Sequence, residues 1–400
     1  MRANAFCFPY SFFRQGALTV LQELKSSGFS GINLALNYHG SRDFLLRQGP
    51  QLEYLADGFH YYLPDEAKYP ANSIRPTTSD HLLDNKMLEN VTSAAGKLDM
   101  EVNAWAVFMH NSGIGKVEPE ATVLNALDNR FLSELCPANI RVQNYVYGLV
   151  SDLSSRGIKS IAMESMHWHG ARHGEHHERF FMELSPTTEF LFSLCFCAAC
   201  ASNFDRAGGN GAGLKLKVAS ALAPFLTDSD PWLGKELTKE LLAEILGAEI
   251  LHYLKVREGE LARIYQKIFE IASANQVEVS YVDQSTLLDM QSTSPLDLSW
   301  LVGIDPDLIK DSLTAFEPLI YRKSANEVGT IYSHYKERLS MRLEPILRPT
   351  FPDNLDVATL DAKVRTLSDL GASDIDFYLL DTWRPRDLKW VAQVLTKLAN

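Results

Sequence analysis

Cys195, Cys197 and Cys200 form a C-x-C-x-x-C motif. Three thiolates packed this closely suit a tetrahedral zinc ion, which takes four ligands. Cys136, in the segment LCPAN, is the best fourth ligand in the sequence, and His173, His176 and His177 are the alternatives. Four protein ligands leave no open coordination position, so the expected role is structural: a zinc that pins a long loop. Without metal the motif reads as three reduced, partly buried thiols. Cys7, in an apolar run, reads as a small buried residue.

The stretch 166–180, MHWHGARHGEHHERF, holds five of the eleven histidines: His167, His169, His173, His176 and His177. It contains no H-E-x-x-H pattern, and adjacent histidines do not readily share one helical face. Hydrogen bonding to a polar ligand therefore outranks a catalytic metal here.

Carboxylates at strand ends supply the second chemistry. Glu164 closes the strand 159–164, flanked by Met163 and Met166. Partial desolvation there would raise its pKa toward the working range of a general acid. Asp283 closes the strand 277–283 and Asp381 follows the strand 374–380; either is a candidate partner carboxylate. Glu317 and Glu344 fall earlier in their strands and read as internal polar contacts, with Glu344 the competitor for the partner role. Further polar and aromatic residues fall at matching heights: His39, His110, Asn111, Tyr321, Arg322 and Arg348, with Trp168 and Trp383 on adjoining loops. Aromatic faces beside hydrogen-bonding groups suit sugar rings.

Eight short apolar runs position these residues: 5–8, 32–36, 101–109, 159–164, 277–283, 316–321, 340–348 and 374–380. Helical periodicity fills the intervals, over 81–100, 139–156, 236–274, 304–312, 324–338, 359–370 and 385–398. In 139–156, Asn139 is the expected cap and Val142, Val146, Leu149 and Leu153 the apolar stripe. Alternating strands and helices imply a parallel sheet, and a count of eight with right-handed crossovers favours a (β/α)8 TIM barrel. The whole chain, 1–400, reads as a single barrel domain. Long insertions, about 38–80 and 165–235, follow strands two and four on the C-terminal face, where barrel active sites are built. Gly208, Gly209, Gly211 and Gly213 read as a flexible insertion. No G-x-G-x-x-G follows the first strand, so no nucleotide cofactor is expected.

Of 400 residues, 46% are apolar and 22% charged, ordinary values for a globular chain. Fifty acidic against 38 basic residues give a net charge of −12, which disfavours nonspecific nucleic-acid binding. No apolar run reaches membrane-spanning length. The start, MRANAFCFPYSFF, reads as a strand rather than a signal peptide. Five cysteines make no disulfide scaffold, and the expected location is cytoplasmic.

The order Cys136-Pro137-Ala138-Asn139, a helix, a strand ending in Glu164, then C-x-C-x-x-C resembles the family 42 β-galactosidases. The resemblance is closest over residues 100–205. The whole chain also resembles glycosyl-hydrolase-like bacterial barrels that carry CPAN, HGxHHE and LCFCxxC segments, here 136–139, 173–178 and 194–200. The resemblance implies that Cys136, Cys195, Cys197 and Cys200 bind zinc and that Glu164 is the acid/base. Two positions depart from the β-galactosidase pattern: Met163 stands where that family has Asn, and strand seven ends in Arg348 rather than a nucleophilic Glu.

The expected activity is glycosidic-bond hydrolysis by Glu164 with Asp283 or Asp381. Two alternatives stand beside it. One is a metal-dependent hydrolase or isomerase of a sugar-like substrate, built on His167, His169 and Glu164 with Asp283 as an optional further ligand. The other is a barrel that binds carbohydrate without cleaving it. The expected partner is a glycoside, with neither nucleic acid nor membrane; related barrels often form homo-oligomers, and no interface motif is visible.

Overall fold

The computed structural model describes residues 1–47, 51–55, 58–79, 86–172 and 179–399. Its centre is a curled parallel sheet. Six strands follow in chain order: Arg2–Cys7, Gly31–Tyr38, Glu101–Val107, Ser160–Glu164, Glu278–Asp283 and Ala315–Pro318. Two short segments, Arg342–Leu343 and Ile346–Leu347, and a last strand, Asp374–Phe377, complete it. Neighbours in sequence are neighbours in the sheet, and the last strand pairs with the first in parallel.

The two short segments are the two ends of the sheet. Arg342–Leu343 pairs with Ala315–Phe316, and Ile346–Leu347 pairs with Asp376–Phe377. They are one expected strand, 340–348, interrupted at Glu344-Pro345. Pro345 has no N–H to give a ladder. The backbone still bridges the gap: Glu344 N–H bonds Phe316 O at 2.9 Å and Asp376 N–H bonds Pro345 O at 3.0 Å. The sheet therefore curls into a TIM-like barrel.

Helices Ile140–Leu153, Glu249–Ala274, Ala325–Arg338 and Val357–Asp369 lie between the strands, and Pro385–Ala399 follows the last. In the first, Asn139 caps the Arg141 N–H, and Val142, Val146, Leu149 and Leu153 are buried, as the apolar spacing requires. Most buried apolar residues form one core of barrel and helices. A second, smaller cluster, including Leu191, Phe204, Leu214, Val218 and Leu242, lies under the segment that follows the fourth strand.

That second core changes several readings. The expected insertion 165–235 is not one long loop: it holds helices Pro186–Ser193 and Ala198–Arg206. The glycine run is not a flexible insertion: Gly211 opens the helix Gly211–Thr227, and Asn210 caps it by accepting the Gly213 N–H at 2.9 Å. Leu214, Val218 and Leu222, four apart, supply its buried stripe, and that burial outweighs poor glycine propensity. The expected helix 236–274 breaks at Gly247, whose φ of +85° suits glycine, into Lys239–Leu246 and Glu249–Ala274. After the second strand, Ser41–Leu45 and Gln51–Leu55 form an antiparallel hairpin, and Phe59–His60 adds antiparallel to Asn37–Tyr38. The expected helix 81–100 is described from Met87 to Lys97; residues 80–85 lie outside the described residues. Among the described residues, no single helix is long and apolar enough to cross a membrane.

Candidate active site and metal centre

Side chains on a strand alternate between faces, so every second residue enters the barrel. Asn33 donates to Asp376 Oδ2 at 2.6 Å, from a strand separated from it by the first strand; their bond runs through the interior. Asn4 donates to the other oxygen at 3.0 Å, and Asn103 donates to Asn33 at 2.8 Å. Ser280 donates to Glu317. Two residues further along the same strands comes an aromatic layer. The rings of Phe6, Trp105 and Tyr378 lie within 5.1–6.0 Å of one another.

Glu164 sits on this layer. Trp105 donates its indole N–H to Oε2 at 2.5 Å, and Gln284 Nε2 lies 3.3 Å from Oε1. The residue after it, Ser165, has φ of +56°, uncommon for a residue with a Cβ. Phe108 and Met109 hold that turn by donating to the carbonyls of Glu164 and Ser165, both at 3.0 Å. Burial pushes the Glu164 pKa up to about 7, and the Trp105 hydrogen bond pulls against that rise. A carboxyl so tuned can give a proton near neutral pH. The phenols of Tyr38, Tyr321 and Tyr378 feel its charge, and Tyr38 and Tyr378 are hydroxyl to hydroxyl at 3.2 Å.

The two expected partner carboxylates are engaged elsewhere. Asp283 is fully buried and accepts from Tyr335 O–H at 2.5 Å, Ser285 O–H at 2.7 Å and Ser285 N–H at 3.0 Å. Tyr335 lies on a helix outside the sheet, so it is Gln284, one residue on, that reaches Glu164. Asp381 accepts from Phe8 N–H and Ser11 O–H, both at 2.7 Å, and ties the chain after the first strand to that after the last. Glu344 pairs with Arg342 at 2.7 Å and shares the interior electrostatically with Glu317 and Asp376.

The other expected ligand contacts divide. Arg348 stacks 4.2 Å above the Tyr321 ring and pairs with Asp353 at 2.7 and 3.0 Å, close to Tyr378. His39, His110, His169 and His167 form a row with ring separations of 4.7, 5.6 and 4.5 Å. His167 Nδ1 meets the Tyr281 hydroxyl at 3.2 Å, and His169 Nε2 lies 3.9 Å from Glu134. Asn111 is a helix cap, accepting from Ile114 N–H. Trp168 and Trp383 are both buried: the first carries Arg257, the second stacks on Phe29. His173, His176 and His177 lie outside the described residues. Trp105, Gln284, Tyr38 and Tyr378 escape the sequence reading. The signal available for Trp105 was its place in an apolar strand with Asn103 two residues before it, on the same face.

The cysteines do converge. Cys136 Sγ lies 3.7, 3.5 and 3.4 Å from the sulfurs of Cys195, Cys197 and Cys200, and all four are buried and free. A disulfide would bring two sulfurs to about 2.05 Å. A zinc ion with bonds of about 2.3 Å sets tetrahedral edges of about 3.8 Å, close to these separations. Hydrogen bonds from Cys136, Cys195 and Cys200 hold the Cys197 thiol well below its usual range, and Cys197 also stands at the start of Ala198–Arg206. The four could hold a metal ion. Among the described residues no other histidine, cysteine or carboxylate group gathers its ligand atoms so closely; the row of histidines does not.

No protein-family model matches the chain, and no curated protein is similar to it in sequence. Solved structures that resemble it in fold include two β-galactosidases and an α-L-fucosidase. The β-galactosidase of the psychrophilic Marinomonas ef1 superposes with a TM-score of 0.59 at 9% identity, over 100% of this chain and 60% of that one. The β-galactosidase of the Antarctic haloarchaeon Halorubrum lacusprofundi gives 0.59 at 10%, over 100% and 58%. α-L-Fucosidase isoenzyme 2 of Paenibacillus thiaminolyticus gives 0.54 at 10%, over 100% and 49%. The chain thus spans less than two thirds of the length of each. At such identity the likeness concerns the fold.

Proposed function

We propose that this chain is a glycoside hydrolase-like enzyme in which Glu164 is the general acid. One observation carries the reading: a carboxyl at the end of the fourth barrel strand, set among aromatic rings, with its pKa near 7. Its proton passes to the glycosidic oxygen as the carbon–oxygen bond breaks, and the alcohol leaves neutral. The carboxylate left behind takes a proton from the water that completes hydrolysis. Tyr378, half-buried and hydroxyl to hydroxyl with Tyr38, offers a ring and a hydroxyl to a sugar, Trp105 backs Glu164 from the core, and Arg348 fixes Tyr321. The order of CPAN, Glu164 and C-x-C-x-x-C supports the same assignment.

Asp283 and Asp381 receive no part in this scheme. Their engagement elsewhere favours a second reading, a barrel that binds carbohydrate without cleaving it. Glu164→Gln decides between them on a panel of chromogenic glycosides. Hydrolysis reduced at least ~100-fold in a folded variant is the expected result. Sugar binding with no turnover by the unaltered protein would favour the second reading.

For the cysteine centre we infer a structural zinc, held by Cys136, Cys195, Cys197 and Cys200, with no open position for substrate. Reduced cysteines in this arrangement suit a cytoplasmic setting.

A further inference from the structure

Two cavities adjoin on the side of the barrel mouth that Gln284 lines. The first, about 280 Å³, is lined by His167, His169, Arg172 and Gln284, and Gln284 is the residue that reaches Glu164. The second, about 220 Å³, shares His169, Gly170, Glu189, Leu288 and Val302 with the first and runs on to Phe190, Ser193 and Arg257.

Arg257 comes from the buried face of Glu249–Ala274 and is 4% exposed. The surface it keeps faces the second cavity. Its guanidinium carbon lies 4.7 Å from the centre of the Trp168 ring, so the indole backs the planar cation and fixes its plane. Nε and Nη1 meet no hydrogen-bond acceptor among the described residues. Cys195, Cys200 and Glu258 act on Arg257 through their charge but accept none of its N–H groups. A buried guanidinium with unanswered donors is costly unless an acceptor answers them. Among the described residues, the other Arg, Lys, Asp and Glu side chains that line the two cavities are Arg172 and Glu189, 3.6 Å apart. Arg257 is the cation in the second cavity's described lining, and Phe190, Leu288 and Leu301 give that cavity an apolar wall.

We propose that Arg257 is an anion-binding residue, and that this cavity takes the carboxylate of an acidic sugar, such as a uronate, next to the bond presented to Glu164. A planar carboxylate matches the guanidinium fork, and sugar C–H faces match the wall. The identity of the bond cleaved rests on the glycosidase reading; binding of the acid does not.

The test compares binding by calorimetry of D-glucuronate and D-galacturonate with that of D-glucuronamide and D-galactose at low salt. The expected result is at least ~10-fold tighter binding of an acid than of its neutral counterpart, the scale of one charge-assisted pair. The preference should survive Glu164→Gln and disappear in Arg257→Lys, which keeps the charge but loses the fork, at unchanged metal content and melting temperature. Equal binding of acids and neutral sugars by the unaltered protein overturns the proposal, and so does a preference that persists in a folded Arg257→Met. Should the Arg257 variants not fold, the acid-versus-amide comparison on the unaltered protein decides alone. Acid preference without turnover of any glycoside would sink the cleavage reading and leave the subsite standing. Turnover of neutral glycosides without acid preference would do the reverse.

Discussion

The indole N–H of Trp105 meets the Glu164 carboxylate with Nε1 2.5 Å from Oε2. This bond favours the ionised form, while burial, the larger effect, favours the protonated one. An acid catalyst is active while protonated, so kcat should fall as pH rises through about 7. Trp105→Phe keeps a ring and deletes the donor. Its pKa should then rise further, moving the alkaline limb of the kcat profile upward by roughly one pH unit. A limb that stays in place in an active variant removes Trp105 from the tuning of Glu164.

Asp283 should matter to stability and not to turnover. Asn in its place keeps the shape but cannot accept from both Tyr335 and Ser285 as the carboxylate does. Asp283→Asn should lose about 1–3 kcal/mol of stability, the usual scale for disrupting buried hydrogen bonds. Below its melting temperature its kcat should stay within a few-fold of the unaltered protein. A loss of ~100-fold, as expected of Glu164→Gln, would return Asp283 to the reaction.

Metal analysis should find about one zinc per chain, the stoichiometry of a single four-cysteine site. Cys197→Ser should lower both zinc content and melting temperature, because binding free energy of a structural metal is folding free energy. A chain that melts unchanged after complete, verified metal removal has no structural zinc.

The barrel interior makes stability depend on pH. Glu317, Glu344 and Asp376 have pKa values raised first by burial; the charge of Glu344 adds to the rise of the other two, and Glu344, against the pull of Arg342, is pushed up to about 7. For a carboxyl with a raised folded pKa, the stability is fully present below the unfolded value, near 4.3, and is lost as pH climbs through the folded value. The melting temperature should therefore fall between about pH 5 and pH 8. Glu317→Gln, measured at both ends, should narrow that fall by removing one of the charges. An unchanged difference would show that these acids stay ionised at both pH values.

The alternation of strands and helices was legible because each barrel strand is a short apolar run bounded by helical spacing. Val142, Val146, Leu149 and Leu153 declared their helix in the same way. The cysteine centre was legible too: motif spacing brings Cys195, Cys197 and Cys200 together locally, and Cys136 was the best fourth ligand in the sequence, as the resemblance also implied. The helix Gly211–Thr227 was not, because its stability comes from a second core formed with residues far along the chain. Trp168 and Trp383 stood at suitable heights but are buried in packing, a matter of which way a loop folds.

Sequence by itself determined the barrel class, the cysteine group and Glu164 as the strand-end carboxyl of interest, since composition, period and local spacing suffice for these. Tertiary structure decided its company. Asp283 and Gln284 are adjacent in the chain, yet the first turns to Tyr335 and the second to Glu164. A shift of one residue exchanges the two faces of a strand, and the phase is fixed only when neighbouring strands pair and the barrel closes.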